Sequence, residues 1–411
     1  MGIYWNINLI DALPNHMDKI NEQIEKLQAE QIGSTPLFFD LGKVDDAGRL
    51  SELIESGAVR RVSDDYKEQL LELYGVNNPP LVYAPGFKEA FEEYCAGLEK
   101  EKELKKRGNW VYFPWSSTLV HILPEADFLA VRTARNKNLI AKDEQEKFYN
   151  ATVGIGGLSV GSSVALAIAL GGGAKRMKLA DMDHLALSNT NRILTGVDNL
   201  GVLKVELAAR KIYEINPYAQ VEIFPAGLNR ENIEGFFAGL DVVIDELDNL
   251  AVKYLIREQA KKHGVAVVMA ADNGDNAVVD IERYDLDSDT PYFHGRMGAD
   301  VSYKMLSGLD KFGIGKMITK HVGPENVTER MQQSLMEMGK TIVSWPQLGG
   351  AALINGAAVA YCVRKIVNGE PLETNRALVS MDEKLVPGYN LPAAEEKRRQ
   401  ISETFKKIFG L

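Results

Sequence analysis

Cysteine is scarce in this chain, with Cys95 and Cys362 the only two among 411 residues. No C-x-x-C pair exists, and the six histidines (16, 121, 184, 263, 294 and 321) are scattered, so no structural zinc site of the four-cysteine type is expected. Cys95 falls in a charged helical pattern and Cys362 in an apolar one, and both read as packing residues rather than nucleophiles. A surplus of positive charge is also missing. With 47 Lys and Arg against 57 Asp and Glu, the formal charge is -10, which argues against broad phosphate-backbone binding and makes a nucleic-acid partner unexpected. Long apolar runs are missing too. The stretch Val164 to Leu170 is closed by three glycines and is far too short to cross a bilayer, so no membrane span is expected. Met1 to Asn8 lacks the basic patch, apolar run and small-residue cleavage site of a secretory signal, and a cytoplasmic location is the expectation.

What remains is an ordinary globular composition, 45% hydrophobic and 25% charged, long enough for two domains. The pattern divides the chain into an N-terminal, mostly helical accessory region (1–125), a larger α/β region (126–390) and a C-terminal surface helix (391–411). In the first, Met17 to Gln31 is amphipathic and Phe87 to Arg107 is a long helical candidate running into a solvated charge cluster. Trp110 to Leu123 is aromatic and β-branched, hence extended, and Pro124 opens a new helix.

From Phe148 onward, short apolar runs alternate with helical segments, as in a parallel sheet covered on both faces. The strands expected are Thr152 to Ile155, Met177 to Asp181, Val221 to Phe224, Asp241 to Asp245 and Val265 to Ala270. Helices fall between them at Gly161 to Leu170, Leu203 to Ile215, Arg230 to Phe237 and Leu250 to Lys262. The fold class is therefore α/β, a doubly wound, Rossmann-like, mostly parallel sheet. Ala277 to Tyr284 reads as an added strand, Asp300 to Thr341 as irregular and helical, and Leu348 to Val367 as a small-residue helix packing back on the sheet.

The first of these strands runs through Gly154, Gly156, Gly157, Ser159 and Gly161 directly into a helix. Glycines let backbone approach a phosphate closely, and the free N–H groups and dipole of the helix start favour its negative charge. Asp181 ends the second strand, placed to accept hydrogen bonds from ribose hydroxyls. These two features fit ATP and a nicotinamide dinucleotide equally.

The next segment separates them. Asp181-Met182-Asp183-His184-Leu185-Ala186-Leu187-Ser188-Asn189-Thr190-Asn191-Arg192, followed by Lys204 and Asn216-Pro217, resembles the pattern D-x-D-x-V-x-x-S-N-L-x-R…K…N-P of the ThiF/MoeB/HesA superfamily. Asp241 to Asn249 resembles that family's D-x-V-x-D-x-x-D-N, and the resemblance spans roughly residues 130 to 370. These relatives of the ubiquitin-activating enzymes adenylate a carboxylate with ATP and release pyrophosphate. The resemblance implies that Asp181 holds the ribose, that Asn189, Arg192 and Lys204 contact the triphosphate, and that Asp248 holds magnesium. Asp183 is counted with the binding positions, although the structural reading, as caps or acceptors, is the favoured one for Asp183 and Asp245, and Asn216-Pro217 reads as a helix stop. Arg132-Thr133-Ala134-Arg135-Asn136 resembles the family's R-Y-N-R-Q, whose second arginine reaches a partner's ATP, so Arg135 implies a homodimer.

Two departures matter. Ser159 stands at the family's third glycine, so either the loop shifts or the hydroxyl itself meets phosphate. No cysteine but Cys362 follows Asp248, so no enzyme thioester is expected and a separate acceptor must attack the acyl-adenylate. The carboxylate is open between the C-terminus of a ubiquitin-like carrier, a peptide and a small acid. Three rivals remain: an NAD-dependent oxidoreductase, a non-catalytic nucleotide-binding scaffold, and a hydrolase, because Gly157-Leu158-Ser159-Val160-Gly161 also satisfies G-x-S-x-G with Asp248 and His263 or His294 downstream.

Overall fold

A computed structural model describes residues 19–26 and 32–411. Residues 19–26 are helical, and the rest of the helix expected over Met17 to Gln31 lies outside the described residues. The region that follows is dominated by helices Val44–Glu55, Tyr66–Asn77 and Phe87–Glu101. It also holds a four-stranded sheet of β1 (Leu37–Phe39), β2 (Arg61–Asp64), β3 (Asn109–Phe113) and β4 (Thr118–Ile122), in the order β1-β3-β4-β2. The two long strands are the aromatic segment expected to be extended. β2, with the sequence Arg-Val-Ser-Asp and no buried residue, has no apolar alternation to announce it. His121 of β4 is sandwiched between the rings of Tyr66 and Trp110, at 4.1 and 4.4 Å, and its nitrogens meet Asp64 and the Arg107 carbonyl at 2.8 and 2.7 Å. That satisfied, buried histidine ties the helix Tyr66–Asn77 to the sheet.

The large sheet has seven strands: β5 (Thr152–Gly156), β6 (Arg176–Ala180), β7 (Gln220–Phe224), β8 (Val242–Asp245), β9 (Ala266–Asn273), β10 (Asn276–Glu282) and β11 (Arg376–Val379). Their order is β11-β10-β9-β8-β5-β6-β7. The five strands from β5 to β9 are parallel, and β10 and β11 add antiparallel at one edge. Alternate residues feed opposite faces. Val153, Ile155, Val242 and Ile244 pack with helices Gly161–Leu170, Lys204–Ile215 and Gly349–Val367, while Val243 and Val267 pack with helices Ile233–Phe237 and Leu250–His263. Coverage on both faces is what makes the strands read as continuous apolar runs. Val111, Phe113 and Ile122 of the smaller sheet join the first of these cores.

Gly349–Val367 is long and apolar enough to cross a membrane, which the sequence reading overlooked. Its small-residue face instead packs on Gly161–Leu170, where a Cβ at Gly356 would stand 2.6 Å from the Ser163 carbonyl oxygen. β11 was not anticipated, being a short, largely exposed edge strand. The C-terminal helix, Pro392–Phe409, buries Phe405 against helix Glu329–Met336.

Candidate nucleotide and carboxylate site

The chain leaves β5 toward β6 on one side and later returns to place β8 on the other, so the carboxyl ends of β5 and β8 flank a topological switch point. Crevices at such points are where open α/β sheets bind ligands. The turn after β5 is held shut against the turn after β8. Gly157 has φ +85°, and a Cβ there would lie 2.3 Å from the Glu246 carbonyl oxygen, so only glycine fits. Gly154 and Gly156 differ in purpose: their missing side chains leave room for Phe236 and Leu240, and for Leu247, which is packing within the domain.

Asp181 anchors the loop. One carboxylate oxygen accepts the Leu158 N–H at 2.6 Å and the other the Asp183 N–H at 2.8 Å, and burial raises its pKa against the lowering effect of those bonds. Lys204, itself buried, reaches the Asp183 carboxylate at 2.8 Å. Asn189 caps a short turn by accepting the Ala186 N–H at 3.0 Å, and its carbonyl oxygen accepts the Arg192 N–H at 3.1 Å. Asn189 thus aims Arg192 from behind.

Ser159 then fixes the arginine. Arg192 Nε donates to Ser159 Oγ at 2.8 Å, and a second nitrogen bonds Asn191 Oδ1 at 2.8 Å and the Ser188 carbonyl at 3.2 Å. The hydroxyl at the unexpected position therefore carries a cation to the phosphate loop. The two histidines that could serve Ser159 are engaged elsewhere: His263 pairs with Glu234, and His294 lies on the Ile281 carbonyl and Asp280. The hydrolase reading has no base.

Asp248 is exposed and makes no hydrogen bond or ion pair among the described residues. Next to it, Asn249 caps helix Leu250–His263 by accepting the Ala251 and Val252 N–H groups at 3.0 and 3.2 Å. Asp245 is structural, as one of its two readings held. Burial would raise its carboxyl, but Lys253 and the fully buried Arg257 outweigh that and hold it below the usual range. Arg257 also meets Glu282 at 2.8 Å and lies over the Phe293 ring at 4.1 Å, joining the end of β8 to β10. Arg135 is not brought to the crevice. It is exposed on the turn Ala134–Asn136, whose Asn136 bonds the Gly171 carbonyl at the far end of helix Gly161–Leu170.

Beyond Asp248 the crevice opens into a chamber of about 440 Å³ between the ends of β8 and β9, helices Lys311–Val322 and Glu329–Met336, and the segment 343–347. Sequence reasoning did not find it. Besides Ser159 and Asp248, its polar side chains are Glu246, Lys253, Asp272, Asn273, Lys311, Thr319, His321, Ser344 and Gln347. Burial pushes the Asp272 carboxyl up to about 6, with Arg192, Gln347 and Asn355 acting the other way. Glu246 is raised well above the carboxylate range by burial, with one oxygen on the Ala270 N–H at 2.9 Å. The spacing of Lys253 and Arg257, one turn apart after Asp-Asn, was the one available signal. Cys362 is packed in the core and its thiol is raised to about 11 by burial.

Residues 133–294 match the model of the ThiF family. The chain is 36% identical over 324 residues to protein MT1398 of Mycobacterium tuberculosis, covering 77% of this chain and 44% of that one. It is 28% identical over 163 residues to a sulfur carrier protein adenylyltransferase of Thermus thermophilus, covering 39% and 57%. A tRNA threonylcarbamoyladenosine dehydratase of Bacillus subtilis is 34% identical over 140 residues, covering 33% and 54%. The chain thus spans about half the length of the curated relatives it matches. The glycine loop, Asp181, Arg192 and Asp248 are all gathered at one switch point inside the segment that matches the ThiF family.

Proposed function

We propose that the protein uses ATP to adenylate a carboxylate and releases pyrophosphate, without an enzyme thioester. The observation that carries this is the pairing of Arg192 with the glycine loop through Ser159, near an Asp248 that makes no hydrogen bond or ion pair among the described residues. Triphosphate lies along the loop and the start of helix Gly161–Leu170, where backbone N–H groups accept negative charge. Attack of a carboxylate oxygen on the α-phosphorus forms the new P–O bond and breaks the bond to the departing pyrophosphate. Negative charge grows on the phosphoryl oxygens as this happens, and a cation already fixed there stabilises the transition state more than the ground state. Arg192 is that cation.

An unpaired, exposed carboxylate beside the phosphate loop fits magnesium, which takes one or two carboxylates together with phosphate oxygens. Asp248 would hold it, and the ion would neutralise triphosphate charge. Lys204 is bound to Asp183 in the structure, and we assign it to the phosphates through exchange of that ion pair. The remoteness of Arg135 from its own crevice supports a homodimer in which each arginine serves the other subunit. The carboxylate belongs to a small acid, a peptide or a small carrier protein.

The test is ATP–pyrophosphate exchange with candidate carboxylates, comparing the native chain with Asp248→Ala and Arg192→Ala. Exchange that both variants lose, in chains that keep their melting temperature, establishes adenylation. Failure of the native chain to bind ATP would remove the reading.

A further inference from the structure

The chamber beyond Asp248 is continuous with the nucleotide crevice, since Ser159 and Asp248 line its mouth. Apart from its few polar groups the walls are aliphatic and rich in methionine, Met297, Met331 and Met338 among them, with Trp345 lying over Gly315 as a roof. Its volume is in the range of small-molecule sites, which are mostly apolar with a few placed polar groups. A Gly-Gly tail has no side chain with which to fill such a space. Methionine walls adapt to irregular apolar shapes.

One polar group inside has no partner. His321 is 2% exposed, and neither ring nitrogen makes a hydrogen bond among the described residues. Burial, then the cations Arg257, Arg296, Lys253 and Arg376, hold the imidazole well below its ordinary pKa, so it is neutral, with one donor and one acceptor to offer. Both nitrogens are, however, sealed from water, so the ring is part of the wall rather than a contact for an occupant. The buried Lys253 is already committed to Asp245 and is not free to hold a second carboxylate in the floor. The reacting carboxylate is placed toward Ser159 and Asp248, which line the same chamber beside the glycine loop.

We propose that the chamber holds a bulky apolar group directly attached to the reacting carboxylate. The substrate is then an apolar or aromatic carboxylic acid, or a peptide ending in a bulky apolar residue. This inference rests on the adenylation reading and selects among its substrates.

The test runs ATP–pyrophosphate exchange on the full chain with acetate, hexanoate, octanoate, phenylacetate and 4-hydroxyphenylacetate as free acids. Short peptides ending in Leu, Phe or Gly-Gly form a second arm, which tells free acids from peptides. Exchange efficiency should rise about fourfold per added buried methylene, and acetate and the Gly-Gly peptide should be poor. Ile314→Trp and Ile318→Phe fill the chamber from two positions on one helix. Either should raise the KM of the best apolar probe at least tenfold while ATP affinity and melting temperature stay within twofold and about 3 °C of the native chain.

The inference is overturned if Gly-Gly peptides or acetate match the apolar probes, or if both filling variants leave KM unchanged. It is also overturned if ATP binds, in an Asp248- and Arg192-dependent manner, yet no apolar probe promotes exchange. In each of those cases the adenylation reading survives, whereas absence of ATP binding removes both.

Discussion

Ser159 departs from the glycine its relatives' pattern has at that position, and the structure gives the departure a job that can be tested. Its hydroxyl accepts a 2.8 Å bond from Arg192 Nε beside the loop. Hydrogen bonds to a charged group contribute about 1.5–3 kcal/mol when well shielded. Arg192 is only half-buried and keeps two other bonds, to Asn191 and Ser188, so the lower end applies. Ser159→Ala keeps the Cβ and removes only the hydroxyl, and we expect transition-state stabilisation to fall by about 1.4 kcal/mol, a tenfold loss in kcat/KM. The decisive comparison is a double-mutant cycle in ATP–pyrophosphate exchange. If the hydroxyl acts through the arginine, Ser159→Ala in an Arg192→Ala background costs nothing further, giving a coupling energy close to the whole single-mutant effect. Additive losses would refute this, because they would mean that the hydroxyl meets the phosphate independently, the other option the sequence left open. Ser159→Gly separates the two ideas again. Restoring the family's glycine should not restore rate, since it too lacks the anchor.

Three further outcomes follow from the same geometry. Arg257→Met leaves the buried Glu282 without its cation and Asp245 with Lys253 alone, and should destabilise the chain by about 4 kcal/mol, read by urea unfolding, and a loss under 1 kcal/mol would mean the network is not the clasp described. Gly157→Ala combines a positive φ with a Cβ 2.3 Å from a carbonyl oxygen, and should cost about 3 kcal/mol or more and open the contact between the loops after β5 and β8, visible as faster amide exchange at Leu158. Asp272 has its carboxyl raised to about 6 in the folded chain against about 3.9 unfolded, so the folded state binds the extra proton between those values. Stability from this group is present below about pH 4 and is lost as pH rises to 6, by about 3 kcal/mol in all, and Asp272→Asn should flatten that limb of the unfolding free energy measured across pH 4–7.

The layout of the large sheet was readable because its inner strands are buried on both faces, which leaves uninterrupted apolar runs, and the runs of β5, β6 and β8 are each followed by a helix of amphipathic or small-residue pattern. β1, β2 and β11 escaped because strands of three or four residues with exposed side chains carry no period. For the site, the loop and Asp181, Arg192 and Asp248 were legible because a phosphate crevice at a switch point needs certain residue types at the strand ends, and strand ends are close to one another in a sequence of β-α units. Motif letters nevertheless hid differences of role. Gly157 is required by backbone conformation, whereas Gly154 and Gly156 make room for neighbouring side chains, and Asn249 serves its helix as a cap.

The chamber was not legible for the opposite reason. Its walls come from two helices between residues 311 and 336, a segment of extended chain at 343–347 and the ends of β8 and β9, brought together only by the tertiary fold. In one dimension Met331, Met338 and His321 look like any core residues of short amphipathic helices. What distinguishes them is that part of each side chain lines the chamber. Nucleotide chemistry is thus written in the local sequence of the β-α turns, while substrate choice depends on how later segments close over them. Relatives that share the turns need not share the substrate. The substrate of this chain is accordingly to be sought with probes shaped to the chamber.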